Sequence, residues 1–171
     1  MLADRPPEEP MKCLECGETV KARRENYRYR ECGLPNVILR NIEVSRCPKC
    51  GEVEVSIPGI EQLHRGLALL VARKRVRLAP EEVRFLRKHL GWSGVDFAQH
   101  MGVASETVSR WETGKAEIGP VADRLLRLMV ANRRPLQEYP LENLERIDQR
   151  SAKPLRIEMA VADRVWHLAS A

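Results

Sequence analysis

Two matched cysteine pairs constrain this chain more than any other feature. Cys13-Leu14-Glu15-Cys16-Gly17-Glu18 is answered by Cys47-Pro48-Lys49-Cys50-Gly51-Glu52, with thirty residues between Cys16 and Cys47. Two residues between thiolates let both sulfurs of a pair reach one ion at about 2.3 Å. The glycine after each second cysteine permits a positive φ, which turns backbone N–H groups toward the sulfurs. The expectation is one structural Zn2+ per chain, held by Cys13, Cys16, Cys47 and Cys50. Four protein sulfurs leave no open position for water, so a catalytic metal is not expected. Disulfides would need an oxidising compartment, and a thioredoxin-like pair would need a βαβ context. Cys32, between the pairs, reads as a free thiol, because the tetrahedron is already complete.

Between the pairs, and after the second, the sequence alternates. Val20, Tyr27 and Tyr29 sit among Lys21, Arg23, Arg24, Arg28 and Arg30. Val37, Leu39, Ile42 and Val44 follow, and then Val53, Val55 and Ile57. Period-two patterning rich in β-branched residues predicts a small antiparallel sheet over residues 11–57. Its own core is thin, so the metal should supply much of its folding energy. The Arg/Tyr strand reads either as a contact for nucleic acid or protein, or as a solvated face.

Composition decides the broader class. With 43% apolar and 31% charged residues, the 171-residue chain can bury a core. No apolar run approaches the roughly 18 residues a membrane helix needs. Residues 1–10 are proline-rich and acidic, without the apolar core of a secretory signal, and read as a disordered tail. These points, with reduced thiols, predict a cytoplasmic protein. The formal charge of +5 becomes +3 once four thiolates bind a dication. A basic excess survives and favours an anionic partner.

Residues 58–78 read as a connecting helix. Pro58-Gly59 breaks the sheet, and Ile60, Leu63, Leu67, Leu70 and Val71 recur at helical spacing. Its basic end, Arg73, Lys74, Arg75 and Arg77, suits either a helix dipole or DNA phosphates.

Residues 79–131 carry the most specific pattern. Pro80, with Glu81 and Glu82, starts a helix stopped by Gly91. Ser93 caps a short second helix bearing Phe97, Ala98 and Met101. Gly102 turns the chain into a third, from Ser105 to Glu112, closed by Gly114. Pro120 opens a fourth, with Val121, Leu125, Leu128 and Met129 expected inward. A helix, a tight glycine turn and a short polar-faced helix form the helix-turn-helix layout. On the third helix Val108 and Trp111 should be buried, leaving Ser105, Glu106, Thr107, Ser109 and Arg110 for DNA. Arg110 can bond bidentately to guanine, and Glu106 can accept from a cytosine amine.

The string FAQHMGVASETVSRWETGK resembles Xre-type helix-turn-helix domains, including lambdoid phage repressors. With the two cysteine pairs and Pro58-Gly59-Ile60-Glu61, residues 11–131 resemble the MqsA-type antitoxin family, also called YgiT-type zinc-finger/helix-turn-helix proteins. The resemblance implies an α+β chain with a β-rich zinc ribbon joined to an all-α DNA-binding domain. It implies a homodimer on a palindromic operator of double-stranded DNA, autorepression, and a cognate toxin as a further partner. The family's base-reading arginine corresponds to Arg110, but its base-reading asparagine is replaced by Glu106. A glutamine often found at the start of the second helix is replaced by Gly94. In the same folds an Arg–Glu pair spans the back of the motif, at positions matching Arg87 and Glu112. The alternative is that both are solvated surface charges.

Residues 132–171 fall outside that resemblance. Arg133-Arg134-Pro135 and Tyr139-Pro140 mark a loop, and Leu141, Leu144 and Ile147 suggest a short helix. Leu155, Ile157 and Met159 alternate, Asp163-Arg164 breaks the pattern, and Val165 to Leu168 resumes it, as in a β-hairpin. His64, His89, His100 and His167 lie in no ligand spacing. No Ser-His-Asp set, phosphate loop or open metal site points to an enzyme. Two further readings use the same residues. One is a stand-alone regulator without a toxin. The other is a zinc-ribbon protein or RNA adaptor whose helical domain only dimerises.

Overall fold

The computed structural model describes residues 11–132, 152–162 and 165–169. The disordered tail expected at residues 1–10, the loop and helix expected at residues 133–147, and the break at Asp163-Arg164 lie outside them. Three strands come first: β1 (Ala22–Arg28), β2 (Val37–Arg46) and β3 (Val53–Ser56). Five helices follow: α1 (Ile60–Arg73), α2 (Pro80–His89), α3 (Gly94–Met101), α4 (Ser105–Thr113) and α5 (Pro120–Asn132). Strands β4 (Ile157–Ala162) and β5 (Val165–Leu168) complete an α+β fold.

Strand β2 organises the sheet. β1 pairs antiparallel with it, from Ala22 opposite Ser45 to Arg28 opposite Ile38. The other edge is shared: β3 pairs antiparallel with Glu43–Arg46, and β4 pairs parallel with Val37–Arg40. Asn41, at φ 56°, stands between the two registers. Asparagine tolerates that left-handed conformation better than most residues. Its N–H is accepted by the Asn26 side chain at 3.3 Å, where β1 shifts register.

Parallel neighbours require a long crossover. Here helices α1 to α5 lie between β2 and β4 in the chain. β4 and β5 form the antiparallel hairpin expected near the C-terminus. Buried Trp166 on β5 donates its indole N–H to the Pro58 carbonyl at 2.5 Å, just before α1. The last strands therefore extend the sheet and also grip the entry to the helices.

One apolar core runs from the sheet to the helices. Val37 and Leu39 of β2 and Ile157 of β4 belong to the same cluster as Leu67 of α1, Leu86 of α2 and Trp111 of α4. Cys13, Val20 and Cys47 form a separate small cluster, with Cys16 packed against it.

A polar network sits inside the joint between α1, α2 and α5. Arg127 and Asp123 are both fully buried, four residues apart on α5. The guanidinium donates to Asp123 at 2.5 Å and to the carbonyls of Ala72, Lys74 and Val76 at 3.0, 2.6 and 2.8 Å. These include carbonyls at the end of α1, which lack helical partners. Asp123 also accepts the Leu78 N–H at 2.8 Å. Beside it, buried Lys74 pairs with Glu82 of α2. Burial pushes the Lys74 ammonium pKa down, and the Glu82 charge opposes that shift. Glu82 further accepts the N–H of Ala79 at 2.7 Å and of Leu155 at 3.2 Å. The segment before β4 is thus tied to α2.

This network corrects the phase expected for α5. The buried stripe is Asp123, Leu126, Arg127, Val130 and Ala131. Val121 is 76% exposed and Leu128 37%, while Leu125 and Met129 are half-buried. A charged pair that satisfies itself and the backbone takes the inward positions, and rotates apolar residues outward.

Candidate metal centre and nucleic-acid interface

The two cysteine pairs fold as near copies. In the first, the Cys13 N–H donates to the Glu18 carbonyl at 2.8 Å, and Gly17 N–H to the Cys13 carbonyl at 2.9 Å. In the second, Cys47 N–H reaches Glu52 at 2.9 Å, and Gly51 N–H reaches Cys47 at 3.0 Å. Gly17 and Gly51 adopt φ 69° and 77°, as the tight turns require. The strand pairing of β2 with β1 and β3 brings the two turns together.

The four sulfurs then lie within 4.8 Å of one another. Cys13 and Cys50 are 3.5 Å apart, and Cys16 and Cys47 are 3.4 Å apart. Tetrahedral thiolates at about 2.3 Å from one ion stand about 3.8 Å from each other. The donor set therefore fits a single metal ion. The backbone N–H of Cys50, supported by that of Lys49, holds the Cys47 thiol down at about 6 against the effect of burial. Cys32 lies outside the cluster, with its thiol on the Tyr29 carbonyl at 3.5 Å. Burial raises its pKa.

The second candidate site is the outer face of α4. Ser93 caps α3, accepting the Asp96 N–H at 3.1 Å, and Asp96 returns a bond to the Ser93 N–H at 2.8 Å. The Ser93 hydroxyl beside the carboxylate, and after it the Ser93 N–H, hold the Asp96 carboxyl below its ordinary pKa. Gly102 ends α3 at φ 65°, and Gly114 ends α4 at φ 74°. On α4, Val108 and Trp111 are buried. Ser105, Glu106, Ser109 and Arg110 are exposed, and Thr107 is half-buried.

Helix α2 braces the back of α4. Arg87 grips both carboxylate oxygens of Glu112 and donates to the Trp92 carbonyl at 2.7 Å. Sequence reasoning misses a second arginine. Arg84 donates to the Glu112 carboxylate at 3.3 Å and to its backbone carbonyl at 3.0 Å. The signal was its spacing of three before Arg87, which puts both on one helical face.

The basic run after α1 divides in two. Lys74 is buried in its ion pair, and Arg77 is held by Glu117, at 2.5 Å in the closer contact. Arg73 and Arg75 remain exposed. In the Arg/Tyr strand Tyr29 is buried, and its hydroxyl meets His64 Nε2 at 2.8 Å. Burial lowers the His64 pKa, which favours the neutral ring. Arg23, Arg24, Arg28 and Arg30 are exposed.

The family model described as the antitoxin component of bacterial toxin-antitoxin system, MqsA, matches residues 11–139. That span takes in both cysteine pairs and helices α1 to α5. No curated protein and no solved structure matches the chain.

Proposed function

The chain belongs to the MqsA family of antitoxins, and from that premise we propose that it is a homodimeric repressor that reads double-stranded operator DNA upstream of its own gene. One observation carries the reading. α4 presents Ser105, Glu106, Ser109 and Arg110 outward on a short helix whose back is fixed by Val108, Trp111 and the Arg87–Glu112 pair. A rigid polar helix of this kind suits a major groove. Arg110 bonds a guanine edge, Glu106 accepts from a cytosine amine, and Ser105, Thr107 and Ser109 add contacts to bases or phosphates.

The exposed Val121 and Leu128 of α5, with half-buried Leu125 between them, recur at one helical face and supply a dimer contact. A two-fold dimer implies a palindromic operator. The ion at the four thiolates is zinc and is structural, since soft sulfur donors in a closed tetrahedron favour it. The reduced thiols belong to a cytoplasmic setting. The zinc-bearing sheet is the surface for a toxin, and a small toxin gene beside this one separates an antitoxin from a stand-alone regulator.

Selection from a random duplex library by the full chain, followed by footprinting, tests the reading. The expected product is a palindrome with half-sites about 10 base pairs apart or a multiple of that. Recovery of no enriched sequence would overturn it.

A further inference from the structure

We propose that Arg84 is a DNA-backbone contact, holding one phosphodiester in the depression between the start of α3 and α4. The inference rests on the DNA-binding reading above and adds a residue and a ligand group to it. The depression measures about 240 Å³; its lining includes Arg84, Gly94, Val95, Ser105, Ser109 and Thr113, and also Glu112, whose charge Arg87 balances.

Charge supplies the first argument. Glu112 faces two guanidinium groups, and Arg87 already occupies both carboxylate oxygens, at 2.5 and 3.0 Å. Arg84 is left with the longer 3.3 Å contact and a bond to the Glu112 backbone carbonyl. The group of three therefore carries one surplus positive charge. That charge is on the side open to water, because the Arg84 side chain is 47% exposed.

Donor geometry supplies the second. A guanidinium has five N–H donors. The bonds made by Arg84 use Nε and Nη2, and leave Nη1 for a ligand. The bonds to Glu112 also hold the fork in place, which lowers the cost of ordering it on binding. The exposed hydroxyls of Ser105 and Ser109 add donors on the same rim. The Thr113 hydroxyl is already committed to the Ser109 carbonyl at 2.7 Å.

Access supplies the third. Gly94 has no side chain, and a Cβ there would meet nothing within 4 Å. The mouth is therefore open at Gly94, beside the Val95 side chain. The helix that lines the depression also turns Glu106 and Arg110 outward, so DNA read by α4 brings its flanking strand past this mouth. The occupant that fits is a phosphate of that strand.

The test uses the full chain, the duplex it selects from a random library, and a shuffled duplex of equal length. Arg84→Gln should weaken both by a similar factor. The slope of log affinity against log salt should become shallower by about 0.9 per bound protomer. Arg84→Lys should keep the parent slope, and the thermal midpoint of either variant should stay close to the parent, since Arg87 still holds Glu112. An unchanged slope with lost affinity would reduce Arg84 to a brace of α4 and overturn the proposal. Weakening on the selected duplex alone would make it a base contact and overturn it too. If the parent chain retains no duplex, the DNA-binding reading itself fails, and this inference with it.

Discussion

Arg87 of α2 and Glu112 of α4 make a two-point contact, Nε to Oε1 at 2.5 Å and Nη2 to Oε2 at 3.0 Å. Only 12% and 9% of the two side chains are exposed. The contact spans 25 residues of sequence and fixes α4 from behind. Burial makes the pair costly to break rather than a large net gain over an apolar substitute.

Arg87→Ala leaves a mostly buried carboxylate with only the longer Arg84 contact. We predict a loss of about 3 kcal/mol in urea unfolding, at the low end for a broken buried pair. Arg87→Lys should recover little, because an ammonium cannot reproduce the fork. Parent-like stability of Arg87→Ala would contradict this account of the pair.

Arg127 makes a sharper case, since neither it nor Asp123 is exposed at all. Arg127→Ala strands Asp123 and several carbonyls, and should cost about 3–5 kcal/mol. Removing both charges as Arg127→Met with Asp123→Asn should cost clearly less than Arg127→Ala alone. A double-mutant cycle without coupling would show that the network is not a unit.

Trp166 ties the C-terminal hairpin to the entry of α1. Trp166→Phe keeps an aromatic ring but leaves the Pro58 carbonyl without its donor, for a loss of about 1 kcal/mol. Trp166→Ala should cost about 3–5 kcal/mol. Hydrogen exchange should then rise along β4, β5 and the Val37–Arg40 half of β2, with β3, which pairs only with Glu43–Arg46, least affected. Uniform change across the sheet would contradict the divided β2 edge.

Metal removal should act locally. Cys13, Val20 and Cys47 form a cluster apart from the main core. Chelation, or Cys16→Ser, should therefore expose residues 11–20 and 47–53 to exchange while helical circular dichroism persists. Loss of the helical signal on chelation would show that the metal supports the entire fold.

The clustering of the four cysteines, the α2 to α4 boundaries and the buried Trp111 were legible because their signals are local. Spacing sets the knuckles, Ser93 and Pro80 start helices, and Gly102 and Gly114 end them. The C-terminal strands were legible as a hairpin, but not as a parallel partner of β2. That pairing joins segments more than a hundred residues apart, and no local pattern encodes it. The phase of α5 failed for a different reason. Apolar residues nearly surround that helix, so periodicity was ambiguous, and nothing local marks Asp123 and Arg127 as the inward charges. Arg84 was visible only as one more cation on an amphipathic helix.

The most direct test of the central claim measures how Arg110 reads a base. The full chain and its Arg110→Ala variant would each be titrated against the selected operator and against all single-base changes in one half-site. The account predicts that Arg110→Ala costs about 1–3 kcal/mol on the operator and erases discrimination at one position, leaving the others intact. Equal weakening on every sequence, or an undiminished preference at every position, would contradict it.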